Sequence, residues 1–472
     1  MNHFSNSNNP IRIGIDFGTT HTSAAFYDGR AIRPIALDPV NSNPHLLRSM
    51  IYITREQQHY LGRQAVETFL VQDTGRPVVY EEKFVGTITY TVASLDTDEN
   101  ATIVQDTVID EDVGAQGRLL QSIKTGLRSD SYKGTAVFGR YYTLQELIAL
   151  LLCHVRTQAE AQLGTAVHQV TLGRPVQFVD DPVMDQRAEQ RLRQAAELAG
   201  FTTIEFLPEP VAAASFYLNQ VTKPEMVLVF DFGGGTLDLT VMRADVGRVH
   251  ELLATHGVLV GGDDLDSSLM RKQVAQHFGA NTPIDMNFDD RPLRFPEDLA
   301  DELRQWQTIP NLSRPKALNV IKRAKRHSPE PDKFAALEAL VTRNYGFALF
   351  EQIEQTKRAL SNDLQARLTM HADAINLDLE LNRRDFNIAI NEELSNAREG
   401  VRQVLALAGI PATAIDAVVT TGGSSVIPIF QKMLTNAFPA ARLVPLDTFA
   451  GVTNGLAIHA HQTNHERLSY VR

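Results

Sequence analysis

Two stretches of this chain bring aspartate, glycine and threonine together at a spacing that suits phosphate and cation chemistry. In residues 226–240, MVLVFDFGGGTLDLT, an apolar run ends in Asp231 and breaks into Gly233, Gly234 and Gly235. Glycines carry no Cβ, so a turn built of them admits positive φ and lets backbone N–H groups come close to an anion. Asp231 and Asp238 could face a cation, and Thr236 offers a hydroxyl. A glycine-rich hairpin with no ligand has the same local pattern. Near the N-terminus, IRIGIDFGTTHTSAAFYDG repeats the plan with Asp16, Phe17, Gly18, Thr19 and Thr20. The two Asp-Phe-Gly triplets lie about 215 residues apart, which reads as a duplicated lobe and not a short-period repeat.

The elements that must hold these loops are strands. Val227, Leu228, Val229 and Phe230 read as a buried strand entering the turn, and Leu237, Leu239 and Val241 alternate as the strand leaving it. Ile11, Ile13 and Ile15 do the same for the first copy. Two such loops facing each other would clamp a polyphosphate from both sides. Neither is a G-x-x-x-x-G-K-[ST] phosphate loop nor a G-x-G-x-x-G dinucleotide turn.

Further candidates follow in chain order. Residues 41–142 read as a subdomain inserted into the first lobe; its one chemical candidate is Lys124 in SIKTGL, although a lone lysine is usually solvated. Thr143 with Glu146 forms a capping box before a helix that stops at Gly164. A strand follows at 167–172, then Gly173-Arg174-Pro175, a helix capped by Asp181 and closing at Gly200, and a strand at 203–207. That strand ends at Glu209, an acid at a helix N-terminus, where the dipole alone favours it. Strands alternating with helices argue for an α/β sheet with ligands at the strand ends. Residues 256–262 run to Gly262 and a helix after it, and 280–331 read as an outer insertion. Glu354, Lys357, Arg358 and Ser361 fall at i, i+3, i+4 and i+7, one face of a helix, which is either a solvated stripe or a surface for a base and ribose. Phe386 to Gly409 reads as one amphipathic helix. The strand 417–421 runs into Gly422, Gly423 and Ser424, where a helix is expected to start, and 443–446 and 449–461 close the chain as strand and helix.

Composition narrows the class. With 472 residues the chain holds two to four folding units, and 43% apolar residues is ordinary for a soluble protein. A net charge of −11 argues against nucleic acid or an anionic membrane as the main partner. The one cysteine, Cys153, sits in an apolar helical pattern and reads as a core thiol in a reducing compartment. Residues 1–10 read as a flexible polar tail and not a signal peptide, and no apolar run is long enough to span a bilayer. The expectation is a cytoplasmic protein.

Together the motifs IDFGTT, LPEPVAAA, VFDFGGGTLDLT, EQTKRALS and TGGSSVIP resemble, in order, the nucleotide-binding domain of the heat shock protein 70 (DnaK) family. Within it the chain looks most like the short YegD-type members, which consist of the ATPase alone. The resemblance implies an α/β, two-lobed actin-like ATPase fold of duplicated ribonuclease-H-like sheets. Lobe I would cover 11–222, with its outer insertion at 41–142. Lobe II would cover 223–447, with an insertion at about 261–381, and 448–472 would return to lobe I as a helix and short tail. It implies ATP or ADP with Mg²⁺, and K⁺ as a further ion. Asp16, Asp231 and Glu209 would hold the hydrated Mg²⁺. Thr19, Thr20, Gly233 and Gly234, with Gly18, Gly235 and Gly262 in the same cradle, would bind the phosphates. Thr236 and Asp238 would orient the attacking water or accept its proton, Lys124 would neutralise charge on the γ-phosphoryl group, and Glu209 would count among the catalytic residues as well as at the metal. Glu354, Lys357, Arg358 and Ser361 would meet adenosine, with Gly422, Gly423 and Ser424 opposite, and Pro175 would relay the state of the γ-phosphate.

Three departures qualify this. The family places an arginine where this chain has Val426, which implies weaker nucleotide binding by about 0.5–2 kcal/mol of cation–π contact. Arg174 stands before Pro175 where the family has an apolar residue. The C-terminal QTNHERLSYVR offers neither the family's apolar linker nor its peptide-binding domain. The leading expectation is therefore a monomeric, slowly hydrolysing, chaperone-like ATPase with partner surfaces on its insertions. A filament-forming actin-like protein and a small-molecule kinase on the same fold are the alternatives.

Overall fold

The structure, a computed structural model, describes residues 11–92, 101–179, 181–218, 221–245, 248–284, 293–447 and 450–469; the expected tail at 1–10 lies outside them. Two five-stranded paths of like order carry the molecule. In the first, β1 (Arg12–Phe17), β2 (His21–Tyr27) and β3 (Ile32–Pro34) form an antiparallel meander. β4 (Gln169–Arg174) adds parallel to β1, and β5 (Thr203–Pro208) parallel to β4. The second repeats it with the meander β6 (Glu225–Phe232), β7 (Leu237–Asp245) and β8 (Arg248–Val258), then β9 (Ala417–Thr421) parallel to β6 and β10 (Arg442–Pro445) parallel to β9. The duplication read from the two triplets is thus a duplication of whole sheets.

Period-2 alternation explains how the second sheet is buried on both faces. Leu228, Phe230, Phe232, Leu239 and Val241 point into one core, which also takes in Phe278, Phe334, Leu337, Leu349 and Leu368. Val227, Val229, Met242, Ala417 and Val419 point the other way, onto α3 (Glu209–Leu218) and α8 (Gly451–Ser469). α8 also crosses the first sheet, where a Cβ on Gly14 would stand 2.4 Å from Ala457 N, and it meets α3, where one on Gly455 would stand 1.8 Å from Ala212 O. Glycine at both positions is what allows the close approach.

The helices α1 (Leu144–Leu163) and α2 (Pro182–Leu198) cover the first sheet and keep the expected caps: Thr143 and Glu146 bond reciprocally, and Asp181 accepts from the amides of Val183 and Met184. α4 (Gly262–Leu269), α5 (Gly346–Asn362), α6 (Asn391–Ala408) and α7 (Pro428–Ala437) belong to the second half.

Four readings are corrected. Cys153 is exposed, because α1 buries Leu147, Leu151, Leu152 and Val155 and turns residue 153 to solvent. The helix expected from Phe386 to Gly409 is two helices, since Asn382 caps a first piece (Arg383–Ala389) and Ile390 separates it from α6. No helix starts at Gly422–Ser424; turns follow and α7 begins at Pro428. α8 runs to Ser469, well past His461. Among the described residues no helix is long and apolar enough to cross a membrane.

Residues 73–78 meet residues 342–344 far along the chain. Gly75 N donates to Arg343 O and Val78 N to Thr342 O, both at 2.8 Å, and Asn344 Nδ2 donates to Asp73 O at 2.8 Å. Phe347 joins Tyr52, Val66 and Phe69 in a small buried cluster, with Trp306 packed against it. Trp306 Nε1 donates to Gln121 Oε1 at 2.8 Å.

Candidate functional site

β1 and β6 each carry an aspartate, Asp16 and Asp231, one residue before their end and run straight into a turn that opens on glycine. Gly18 N donates to His21 O at 3.0 Å, and Gly233 N donates to Thr236 O at 2.9 Å, so the loops are the same turn at equivalent places. They face each other: a Cβ on Gly234 would fall 2.3 Å from Thr20 Cγ2, and one on Gly235 3.2 Å from Thr19 Cγ2.

Carbonyls of both loops are held by donors behind them. Ser49 donates from its amide to Thr20 O and from Oγ to Gly18 O, each at 2.8 Å. Gly262 N and Ser424 Oγ donate to Gly233 O at 3.0 and 3.1 Å, and Asp263 N donates to Gly234 O at 2.9 Å. The amides of Thr19, Thr20, Gly234 and Gly235 donate to no protein acceptor among the described residues. Four N–H groups of residues that line one cavity are thus left without a protein acceptor, the arrangement in which backbone dipoles can bind an anion.

That cavity, about 450 Å³, is lined by Asp16, Gly18, Thr19, Thr20, Lys124, Glu209, Asp231, Gly233, Gly234, Gly235, Thr236, Asp238, Gly262, Glu354, Lys357, Arg358, Ser361, Gly422, Gly423 and Ser424. The candidate catalytic, phosphate, metal and adenosine residues therefore line one cavity, although the sequence distributes them over more than 400 positions; Pro175, the candidate relay, is not among the lining residues. Val426, 40% exposed, lines it as well.

At the sheet ends the cavity is acidic. Burial, then Glu209, push Asp16 up to about 7, with Lys124 opposing. Burial and Glu209 raise Asp238 to about 6, although Thr236 Oγ1 donates to its Oδ2 at 3.0 Å. Asp231 is raised well above the ordinary range by burial and then by Glu209, Asp238 and Asp16. Lys124 is not a solvated lysine. It lies on the short helical turn Ile123–Arg128, with its side chain 11% exposed and Nζ donating to Glu209 Oε1 at 2.7 Å. Burial disfavours its charge, but Glu209 and Asp16 more than offset that and its pKa is raised.

The other end is built by α5. Lys357 Nζ donates to Gly262 O at 2.9 Å and to Asp266 Oδ2 at 2.6 Å, which braces α5 against α4. Burial raises Asp266 to about 7 in spite of Lys357. Glu354 divides its oxygens: Oε1 takes Arg358 at 2.5 Å and Oε2 takes Arg48 at 3.0 Å. Against the desolvation of its burial, Arg48, Arg358 and Lys357 hold Glu354 down to about 2. Arg48 also meets Glu351 at 2.8 Å. It had no place in the sequence reading, yet an arginine inside the apolar run 46–54 demands a buried acid, and that was the available signal. Ser49 and His21 carried no such signal. Arg174 is paired with Asp185 at 2.7 Å and with Glu189, which ties the start of the Pro175 segment to α2.

Among the described residues no three His, Cys, Asp or Glu side chains stand close enough to coordinate a metal directly. The site nevertheless fits a hydrated divalent cation with a polyphosphate. Four mutually repelling carboxylates with one lysine lack positive charge, and the unpartnered amides beside them lack an anion.

A family model described as Hsp70 protein matches residues 12–305 and 343–466. The chain is similar to chaperone protein dnaK1 of Synechocystis sp., 24% identical over 439 residues, which covers 91% of this chain and 51% of that protein. It is likewise similar to a heat shock protein of Pyricularia oryzae, 24% identical over 461 residues, covering 95% of this chain and 61% of the other. The chain thus spans about half to three fifths of the length of these curated relatives. The family match, running through both sheets and both loops, shows that this chain belongs to the Hsp70 family, whose fold is the two-lobed actin-like ATPase.

Proposed function

We propose that the chain binds ATP and ADP with Mg²⁺ and hydrolyses ATP slowly, in a role related to that of chaperones. The observation that carries this is the pair of equivalent loops with held carbonyls and unpartnered amides, facing one another beside a half-buried cluster of carboxylates and a lysine. The amides of Thr19, Thr20, Gly234 and Gly235 donate to phosphate oxygens. Asp16, Asp231 and Glu209 hold the water shell of Mg²⁺, which when bound neutralises phosphate charge. Lys124 balances charge developing on the γ-phosphoryl group. Thr236 orients the attacking water and Asp238 takes its proton, a task suited to a carboxylate with a pKa near the working pH. Glu354, Lys357, Arg358 and Ser361 receive base and ribose opposite Gly422, Gly423 and Ser424.

The reading carries with it a cytoplasmic monomer that meets protein clients or regulators through its insertions, with neither nucleic acid nor membrane as partner. Calorimetry with ADP, with and without Mg²⁺, tests it together with phosphate release from ATP. Binding that strengthens with Mg²⁺, and turnover abolished in Lys124→Ala and Asp16→Asn, is the expected result; absence of nucleotide binding in the wild type overturns the reading.

A further inference from the structure

The family match leaves out residues 306–342, and that stretch contains the helix Pro315–His327. Its 13 residues, PKALNVIKRAKRH, hold five Lys or Arg and no acid, in a chain whose net charge is −11.

At 100° per residue the two faces separate cleanly. Ile321 and Ala324 are buried, and Ala317, Leu318 and Val320 pack against the same core. That face is covered within the protein, mainly by the next helix, Pro331–Thr342, to which Lys325 is tied by an ion pair with Glu338 at 3.0 Å. The opposite arc carries Lys316, Lys322, Arg323 and Arg326, all exposed. None of these four has an acidic partner among the described residues; Arg326 Nε reaches only Lys322 O, at 3.3 Å. From Lys316 to Arg326 the stripe is about 15 Å long.

We infer that this helix face docks an acidic protein segment, of either extended or helical form, presenting about four carboxylates along that length. Charge complementarity selects the sign of the partner. An anionic membrane is disfavoured because the apolar face, which would enter the lipid, is already used in the core. Nucleic acid is disfavoured because a single stripe of four cations neutralises few phosphates, while the rest of the chain carries an excess of acids that repels a long polyanion. A short carboxylate segment meets the stripe without meeting the rest of that surface. The inference deepens the reading of the insertions as partner surfaces and does not depend on hydrolysis at the nucleotide cavity.

The probe is a labelled octaglutamate peptide, followed by fluorescence anisotropy at low ionic strength with octaglutamine as control. Wild type is expected to bind octaglutamate and not octaglutamine, with an affinity that falls on the order of tenfold as salt approaches physiological strength. Arg323→Glu combined with Arg326→Glu is expected to weaken binding tenfold or more while leaving ADP affinity unchanged. Should the charge reversal unfold the protein, Arg323→Gln with Arg326→Gln, checked by its melting curve, makes the same test. Equal binding by wild type and variants overturns the inference. So does no binding of octaglutamate, or tighter binding to a single-stranded oligonucleotide or to phosphatidylserine vesicles. Loss of ADP binding in wild type would count against the proposed function and leave this result readable.

Discussion

The loop after β1 and the loop after β6 close the same turn at positions offset by the same interval, yet the strands that leave them differ. Where the second loop has Thr236 and Asp238, the first has His21 and Ser23. Asp238 is a half-buried carboxylate raised to about 6 that lines the cavity, and Thr236 is bonded to it. Ser23 is instead joined through its hydroxyl to Thr453 of α8 at 2.5 Å. The same turn is kept on both sides, but a carboxylate follows it on only one, and the proposed proton acceptor is that carboxylate. The loops differ also in their support. One residue, Ser49, holds two carbonyls of the first loop, whereas Gly262, Asp263 and Ser424, from two separate segments, hold the second. The first loop is fastened at one point and the second at several.

The sharpest way to break this comparison is at the proton acceptor. Asp238→Asn is expected to slow ATP hydrolysis by about 10²-fold or more while ADP affinity stays nearly constant, and Ser23→Ala to change hydrolysis by less than about threefold. Comparable losses in single-turnover assays would mean that the loops share the chemistry. Next in size is the support. Ser49→Ala strips the side-chain donor from Gly18 O and also the partner of the Thr22 hydroxyl at 2.9 Å. A buried acceptor left unpaired costs about 1–3 kcal/mol, so nucleotide affinity should drop on the order of tenfold. Ser424→Ala leaves Gly262 N on the same carbonyl and should cost about 0.5 kcal/mol. Calorimetry giving the reverse order would show the second loop to be the weakly held one.

How much of this was legible in the sequence follows from distance along the chain. The turns, the capping box of α1, the Asp181 cap and the face of α5 were readable because each is set by residues within a few positions of one another. That the loops belong together was readable only because the motif occurs twice. The strut from Arg48 to Glu354 joins residues 306 apart, and the contact of 75–78 with 342–343 is of the same kind. No local periodicity encodes such pairs. Cys153 shows the opposite failure. The local pattern was clear, but a helix as apolar as α1 still has one solvent face, and composition does not say which residue occupies it.

His21 offers a comparison with Thr236 that titration can sharpen. Burial lowers its pKa from 6.5 to about 4, with Glu354 opposing and Arg358, Arg48 and Lys357 adding to the depression. A depressed histidine contributes stability that is present above its unfolded pKa and lost as pH falls through the folded value. Wild type should therefore lose stability relative to His21→Gln between about pH 6.5 and 4. Asp16, Asp238 and Asp266 are raised and work in the other direction, which is why the difference between the two proteins, read from urea midpoints, is the quantity to follow. Parallel curves would show that His21 does not titrate in this window and that its position is as inert to pH as that of Thr236.

The smallest expected effect lies at the base end, where the lobes again contribute unequally. Arg358 has its side chain 58% exposed and is steadied by Glu354, which is steadied in turn by Arg48, whose backbone pairs with that of His21. Val426 lines the same cavity and offers a base no cationic face. A guanidinium over an aromatic ring is worth about 0.5–2 kcal/mol. Val426→Arg should therefore tighten ATP and adenosine by similar factors, from about twofold to thirtyfold, and leave tripolyphosphate binding alone. That partition matters more than the size of the gain. An arginine that tightened tripolyphosphate equally would be acting as a charge near the phosphates, and the assignment of the α5 face to the base would fail with it.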